Sequence, residues 1–262
     1  MAAFPTDVMD LTHDSYIEFK NRTQPKELII PSYTHGFALL HAWYFEQPKG
    51  KSRGLLVYFH GNGLNVSNAA PELYPVAQET GLDYLVFDYR GYGHSVSTEK
   101  TTFDGATQDG AAALLKAKEL AGDKPLIVYA ASVGGGTALT ALESLKARGI
   151  QIQPQFIVLD STFLSFESVV LSFGSTPAPL LCSIHDQEKM QLFAKKTSIP
   201  ALIVTYDNDP IISSFLSSET AVHWAGKTHF VTFPGEEHTL IHDEGNTEYR
   251  KFLRHEILNA LR

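Results

Sequence analysis

The sequence predicts an α/β fold with a mostly parallel central sheet and helices on both faces. Three observations lead there. Short, unbroken apolar runs such as Gly54-Leu55-Leu56-Val57-Tyr58-Phe59 and Tyr84-Leu85-Val86-Phe87 recur along the chain, the pattern of strands buried on both faces. Segments with helical patterning alternate with these runs, as βαβ units require. A third apolar run, Pro125-Leu126-Ile127-Val128-Tyr129-Ala130-Ala131, stops at Ser132-Val133-Gly134-Gly135-Gly136 and is followed at once by a helix-like pattern.

In chain order, residues 28–31 and 37–45 read as two antiparallel strands joined by a turn at Thr34-His35-Gly36. The first parallel strand follows at residues 54–59. Residues 68–80 read as a helix with Pro71 near its first turn and Gly81 as its stop. After the strand at 84–87, the Ala- and Leu-rich stretch 102–121 is helical and is stopped by Gly122. The strand before Ser132 and a helix over 138–147 come next. Strands at 156–159, 201–205 and 229–233 complete the sheet. Asn246 is a suitable N-cap for a last helix that lines up Tyr249, Phe252, Leu253, Ile257 and Leu261. One long break interrupts the rhythm, residues 161–199, whose later part (186–196) is helical in pattern. The expected organisation is a single domain over 1–262, with 161–199 as a small lid or cap insertion.

Composition excludes several function classes. At 262 residues the chain is long enough for one well-buried α/β domain. Its formal net charge is −8 and no basic cluster stands out, so nucleic acid is not an expected partner. No apolar run approaches the roughly 18 residues of a membrane span, and the first residues lack the basic and apolar regions of a signal peptide. The single cysteine, Cys182, has no intrachain disulfide partner. Together these features predict a soluble, cytoplasmic protein without an integral membrane segment.

The strand, turn and helix around Ser132 match the context of a nucleophile elbow, in which a sharp turn projects a serine hydroxyl above the sheet. Small neighbours are needed where strand and helix nearly touch. Gly134 meets that need, and Ala130 stands where glycine is usual, giving A-x-S-x-G. No lysine follows the glycines and the G-x-G-x-x-G spacing is absent, so phosphate-binding loops do not fit. A serine needs a histidine to take its proton and a carboxylate to hold that histidine. In this architecture the chain order is Ser, acid, His. Asp207 and Asp209 follow one later strand, Asp160 ends another, and His238 follows the last, with His242 and His229 as weaker rivals. Backbone N–H groups must then stabilise the oxyanion. Val133, next to the serine, is one expected donor. The glycine-rich His60-Gly61-Asn62-Gly63 after the first parallel strand supplies the other, with Asn62 ahead of Gly63.

With His60-Gly61-Asn62-Gly63, the elbow, the Asp209 and His238 loops, and Phe87-Asp88-Tyr89-Arg90-Gly91-Tyr92-Gly93-His94-Ser95, the chain resembles the α/β-hydrolase superfamily. Within it, the nearest likeness is to lysophospholipase-like and depalmitoylase-like serine hydrolases. The resemblance implies an α/β-hydrolase fold and an ester, thioester or amide hydrolase with no cofactor and no metal. It favours Asp209 over Asp207, through the Asp209-Pro210-Ile211-Ile212 continuation, and treats Asp88, Arg90 and His94 as scaffold. The site so assembled is Ser132, Asp209 and His238, with Asn62 and Val133 at the oxyanion. A carboxylic ester is the default substrate, a lysophospholipid or acyl thioester the next. The alternatives are a catalytically silent binding scaffold, a peptidase of the same fold, or a cofactor-free haloperoxidase. Dehalogenases and epoxide hydrolases need aspartate where Ser132 stands. The apolar residues Phe163, Leu164, Phe166, Val169, Leu171, Phe173, Leu180 and Leu181 would suit an acyl pocket, or a lid packed on the sheet.

Overall fold

A computed structural model describes residues 14–33, 36–165, 167–169, 184–239 and 247–262. Its strands are β1 (Lys26–Ser32), β2 (Ala38–Phe45), β3 (Leu55–Phe59), β4 (Asp83–Phe87), β5 (Val96–Ser97), β6 (Leu126–Ala131), β7 (Phe156–Asp160), β8 (Ala201–Tyr206) and β9 (Thr228–Phe233). The helices are α1 (Asp14–Thr23), α2 (Val66–Thr80), α3 (Phe103–Ala121), α4 (Val133–Ala147), α5 (Ile184–Lys196), α6 (Ser214–His223) and α7 (Thr247–Ala260). One sheet contains all the strands in the order β1-β2-β4-β3-β6-β7-β8-β9, with β5 paired to β2. β2 runs antiparallel to β1, β4 and β5, and every pairing from β4 across to β9 is parallel. The expected antiparallel start and parallel body are both present.

Each face of the sheet carries its own core, because alternate strand residues point to opposite sides. Val57, Phe59, Val128, Ala130, Ile157 and Ile203 meet α3, α4 and α5 on one face. Leu56, Tyr58, Ile127, Tyr129, Val158 and Tyr206 meet α2 and α7 on the other. Within α5, Met190, Phe193 and Ala194 belong to the first core. Phe163 and Leu164 are buried, and Val169 packs on a small cluster of Phe163, Ile212 and Leu216. Phe166, Leu171, Phe173, Leu180, Leu181, His242 and Asn246 lie outside the described residues.

Two helix starts differ from expectation for local reasons. α2 begins at Val66 because Asn65 caps it: the Asn65 side chain accepts from Ser67 N–H at 2.9 Å, while Asn68 accepts from Asn65 N–H at 2.6 Å. Pro71 and Pro75 both fall inside this helix. α4 begins at Val133 rather than Ala138. Gly134, Gly135 and Gly136 are poor helix formers by propensity, but packing requires them. A Cβ on Gly134 would sit 2.2 Å from the Phe59 carbonyl oxygen, and one on Gly136 would sit 2.9 Å from Met190 Sδ. Contact of α4 with β3 and α5 therefore selects glycine where helix propensity alone selects against it.

The sheet also fixes where a site can form. From β3 the chain moves outward to β4 and later returns to place β6 on the other side of β3. The crevice beyond the carboxyl ends of β3 and β6 is such a switch point, where open α/β sheets bind ligands. His60-Gly61-Asn62-Gly63 follows β3, and Ser132 follows β6.

Candidate active site

Ser132 occupies φ 54° and ψ −126°, a backbone conformation that residues with a Cβ rarely adopt. Holding it there costs about 1–3 kcal/mol, which the surrounding contacts must offset. The neighbouring strand supplies one such contact, since Ser132 N–H donates to the Asp160 carbonyl at 2.9 Å. With Gly134 pressed against the Phe59 and His60 carbonyls, the turn is as tight as the A-x-S-x-G pattern implies. Ala130, fully buried, fits beside Phe59 across the parallel pair.

His238 lies in the loop after β9 and brings its ring to the elbow, with Nε2 2.8 Å from Ser132 Oγ. Its Nδ1 stands 2.9 and 3.0 Å from the two carboxylate oxygens of Asp209. A carboxylate only accepts, so Nδ1 carries the proton and donates, which leaves Nε2 to accept from the serine hydroxyl. The Asp209 carboxylate is completely shielded from solvent. Its Oδ1 also accepts from Ile211 N–H at 2.8 Å and Ile212 N–H at 2.9 Å. Those bonds hold the carboxylate in a turn three residues beyond β8 and aim it at the imidazole.

The rival groups are placed differently. Asp207 is exposed in the same turn, where its N–H donates to the Phe233 carbonyl at 3.1 Å. Asp160 faces tyrosines: it accepts from Tyr206 Oη at 2.9 Å, Tyr249 Oη at 3.0 Å and, by a short bond, Tyr129 Oη. Burial and then the Asp160 charge push the hydroxyls of Tyr129 and Tyr249 well above their usual range, so both stay protonated as donors. His229 sits exposed on the edge strand, 2.9 Å from Glu256.

Beyond β3, the fully buried His60 donates from Nδ1 to the Gly61 carbonyl at 2.8 Å. Burial holds its pKa below the ordinary histidine value, so it is neutral. Gly61 lies against the nucleophile turn, where an added Cβ would be 3.5 Å from Ser132 Cβ. Next to it Asn62 is exposed at the rim, its side-chain oxygen accepting from Tyr92 Oη at 2.6 Å. Gly63 has φ 80°, a left-handed conformation that favours glycine. Val133 is the first residue of α4, and first-turn N–H groups have no partner within their own helix. The loop after β4 braces this arrangement. Asp88 accepts from Val66 N–H at 2.7 Å and His94 N–H at 3.1 Å, and contacts the His41 ring at 3.2 Å. Arg90 forms a fully buried ion pair with Asp109 at 2.8 Å. Tyr92, which holds Asn62, has no role that the sequence assigns; its place in the Tyr89-Arg90-Gly91-Tyr92 loop is the signal that points to it. Among the described residues no group of His, Cys, Asp and Glu could hold a metal ion, and no helix is long and apolar enough to cross a membrane.

The sheet, its switch point and a serine on a strained strand-to-helix turn define an α/β-hydrolase architecture. Comparison with known proteins agrees. The profile of the family described as alpha/beta hydrolase fold matches residues 54–150. The mouse lysophosphatidylserine lipase ABHD12 is 32% identical over 187 residues, covering 65% of this chain and 45% of that protein. An uncharacterized Escherichia coli O157:H7 protein, YfhR, is 25% identical over 228 residues, covering 85% of this chain and 77% of its own. The Pyrococcus furiosus esterase Pf2001 superposes with a TM-score of 0.70 at 16% identity, covering 100% of this chain and 96% of that one. The chain has the α/β-hydrolase fold. It spans less than half the length of the lysophosphatidylserine lipases it matches.

Proposed function

We propose that this protein is a serine hydrolase that cleaves carboxylic esters through an acyl-enzyme, with Ser132 as nucleophile, His238 as base and Asp209 as the orienting acid. One observation carries the reading: Asp209, His238 and Ser132 form a continuous hydrogen-bonded relay, 2.9 Å and then 2.8 Å, on a strained elbow. In the first step His238 Nε2 takes the Ser132 hydroxyl proton as Oγ attacks the acyl carbonyl. The charge that develops on the imidazolium is stabilised by Asp209, and the oxyanion by the N–H groups of Val133 and Asn62. Collapse of the tetrahedral intermediate expels the alcohol with a proton from His238. Water, deprotonated by the same ring, then releases the acid. No cofactor enters these steps.

The substrate proposed is a lysophospholipid ester, since relatives bear the name lysophosphatidylserine lipase; simple carboxylic esters and acyl thioesters follow. The segment 161–199 is proposed to shape the acyl side of the cleft, and the lone Cys182 suits a cytoplasmic setting. The test is hydrolysis of a p-nitrophenyl ester chain-length series and of lysophosphatidylserine by the wild-type chain and Ser132→Ala. The expected result is turnover that Ser132→Ala reduces by about 10⁴- to 10⁶-fold with the fold intact. A folded wild type without turnover on any of them, as a silent binding scaffold would behave, or undiminished activity in Ser132→Ala, overturns it.

A further inference from the structure

The elbow is gripped from the strand beside it. Ser132 N–H donates to the Asp160 carbonyl at 2.9 Å, and two residues further on the Thr162 hydroxyl donates to the Ser132 carbonyl at 3.1 Å. Both polar atoms of the Ser132 main chain are thus held by the segment Asp160-Ser161-Thr162. That segment is itself fully buried. Ser161 also has a positive φ, 47°, and its N–H donates to the Val204 carbonyl at 3.0 Å. Two adjacent parallel strands therefore end in a left-handed serine, each donating to the carbonyl of the next strand.

The grip continues outward to the acid loop. The Thr162 carbonyl accepts from the Ser217 hydroxyl at 3.0 Å, and Ser217 lies fully buried in α6. That helix starts five residues after Asp209, and its Leu216 packs with Phe163 and Ile212. Space around the Thr162 hydroxyl is fully used. An added Cβ at Gly135 would fall 1.9 Å from Thr162 Oγ1 and 2.7 Å from its Cβ, so the middle glycine of the elbow is the one that lets this threonine approach.

We propose that Thr162 is a positioning residue, which sets the angle of the Ser132 peptide and couples the nucleophile turn to the Asp209 loop through Ser217. The inference rests on the serine-hydrolase reading above. Thr162 bonds the Ser132 carbonyl and acts by fixing the backbone from which Oγ projects. Small displacements of a nucleophile cost rate rather than binding, because the barrier depends on attack geometry.

The experiment compares Thr162→Val, which keeps shape and removes the hydroxyl, with Thr162→Ser, which keeps the hydroxyl. Steady-state hydrolysis of a p-nitrophenyl ester, the rate of fluorophosphonate labelling and the thermal midpoint are read for each, with Ser132→Ala alongside. Thr162→Val is expected to lower kcat about 10- to 100-fold with KM little changed, and to slow labelling in parallel. Thr162→Ser should recover most of the lost kcat, although it lacks the threonine methyl that valine keeps. Ser217→Ala, one bond further out, should show a smaller loss of the same kind. If Thr162→Val fails to fold, the Ser217→Ala loss and Gly135→Ala, which pushes the hydroxyl away from Ser132, decide the matter by the same readouts. Wild-type kcat and labelling in Thr162→Val, or a loss that Thr162→Ser does not recover, overturns the inference while an inactive Ser132→Ala leaves the hydrolase reading standing. Retained activity in Ser132→Ala removes both.

Discussion

Asp160 ends one parallel strand and Asp209 follows the adjacent one, yet their surroundings give them opposite work. Asp160 is the last residue of β7, and its side chain turns into the core face shared with α2 and α7. There it meets the hydroxyls of Tyr129, Tyr206 and Tyr249. Asp209 lies three residues past β8, in a turn at the sheet's rim, and meets two backbone N–H groups and an imidazole. One carboxylate is saturated by neutral donors that cannot accept a proton in return at neutral pH. The other is joined to an imidazole, whose charge would change during the proposed turnover. A carboxylate at a strand end is thus an acid for catalysis only when the loop carries it out of the core toward a titratable partner.

The largest expected difference between the two is in rate. Asp209→Asn should lower kcat by about 10⁴-fold, because an amide cannot enforce the Nδ1–H tautomer of His238, while the thermal midpoint moves little. Asp160→Asn should do the reverse. Its amide leaves buried tyrosine hydroxyls short of acceptors, at about 2–3 kcal/mol, so the midpoint should fall by roughly 4–12 °C with kcat reduced far less than in Asp209→Asn. If both variants lose rate alike at unchanged stability, the distinction fails. Tyr206→Phe sharpens it further: loss of one neutral donor should cost about 1 kcal/mol in urea unfolding, with hydrolysis close to wild type.

A smaller effect separates two histidines behind the site. Burial lowers the His41 pKa, but the carboxylates of Asp88 and Glu27, bonded to its two ring nitrogens, outweigh burial and raise it above the ordinary value of 6.5. A raised folded pKa contributes stability that is fully present below the unfolded pKa and is lost as pH rises through the folded value. The advantage of wild type over His41→Gln in unfolding free energy should therefore be larger near pH 5.5 than near pH 8.5. His60, whose pKa burial lowers, has the opposite sign and weakens the fold as pH falls through the unfolded value. A wild-type advantage over His41→Gln that is flat with pH, or grows with it, would refute the His41 assignment.

Much of this was legible in the sequence because parallel strands buried on both faces leave unbroken apolar runs, and each predicted strand from residue 54 onward is present to within two residues. The Ser132, Asp209 and His238 loops could be named because each follows such a run, and the structure brings those three side chains together. What could not be read was contact between segments distant along the chain. Helix α4 starts five residues early because carbonyls of residues 59 and 60 and the Thr162 side chain leave room only for glycine, which local propensity penalises. Helix α2 starts two residues early because Asn65 caps it through a reciprocal pair of asparagine bonds in place of the more familiar serine and glutamate. Thr162 carries no motif and Tyr92 only its place in the segment 87–95; their hydroxyls' positions, on the Ser132 carbonyl and the Asn62 side chain, give them meaning.

The central claim is that one hydroxyl, Ser132, is made nucleophilic by the ring beside it. Incubating the folded protein with a fluorophosphonate and mapping the adduct by mass spectrometry addresses this directly. A single adduct on Ser132, formed slowly in His238→Ala and absent from Ser132→Ala, is the predicted result. An adduct on another residue, or an equal labelling rate in His238→Ala, would contradict the account.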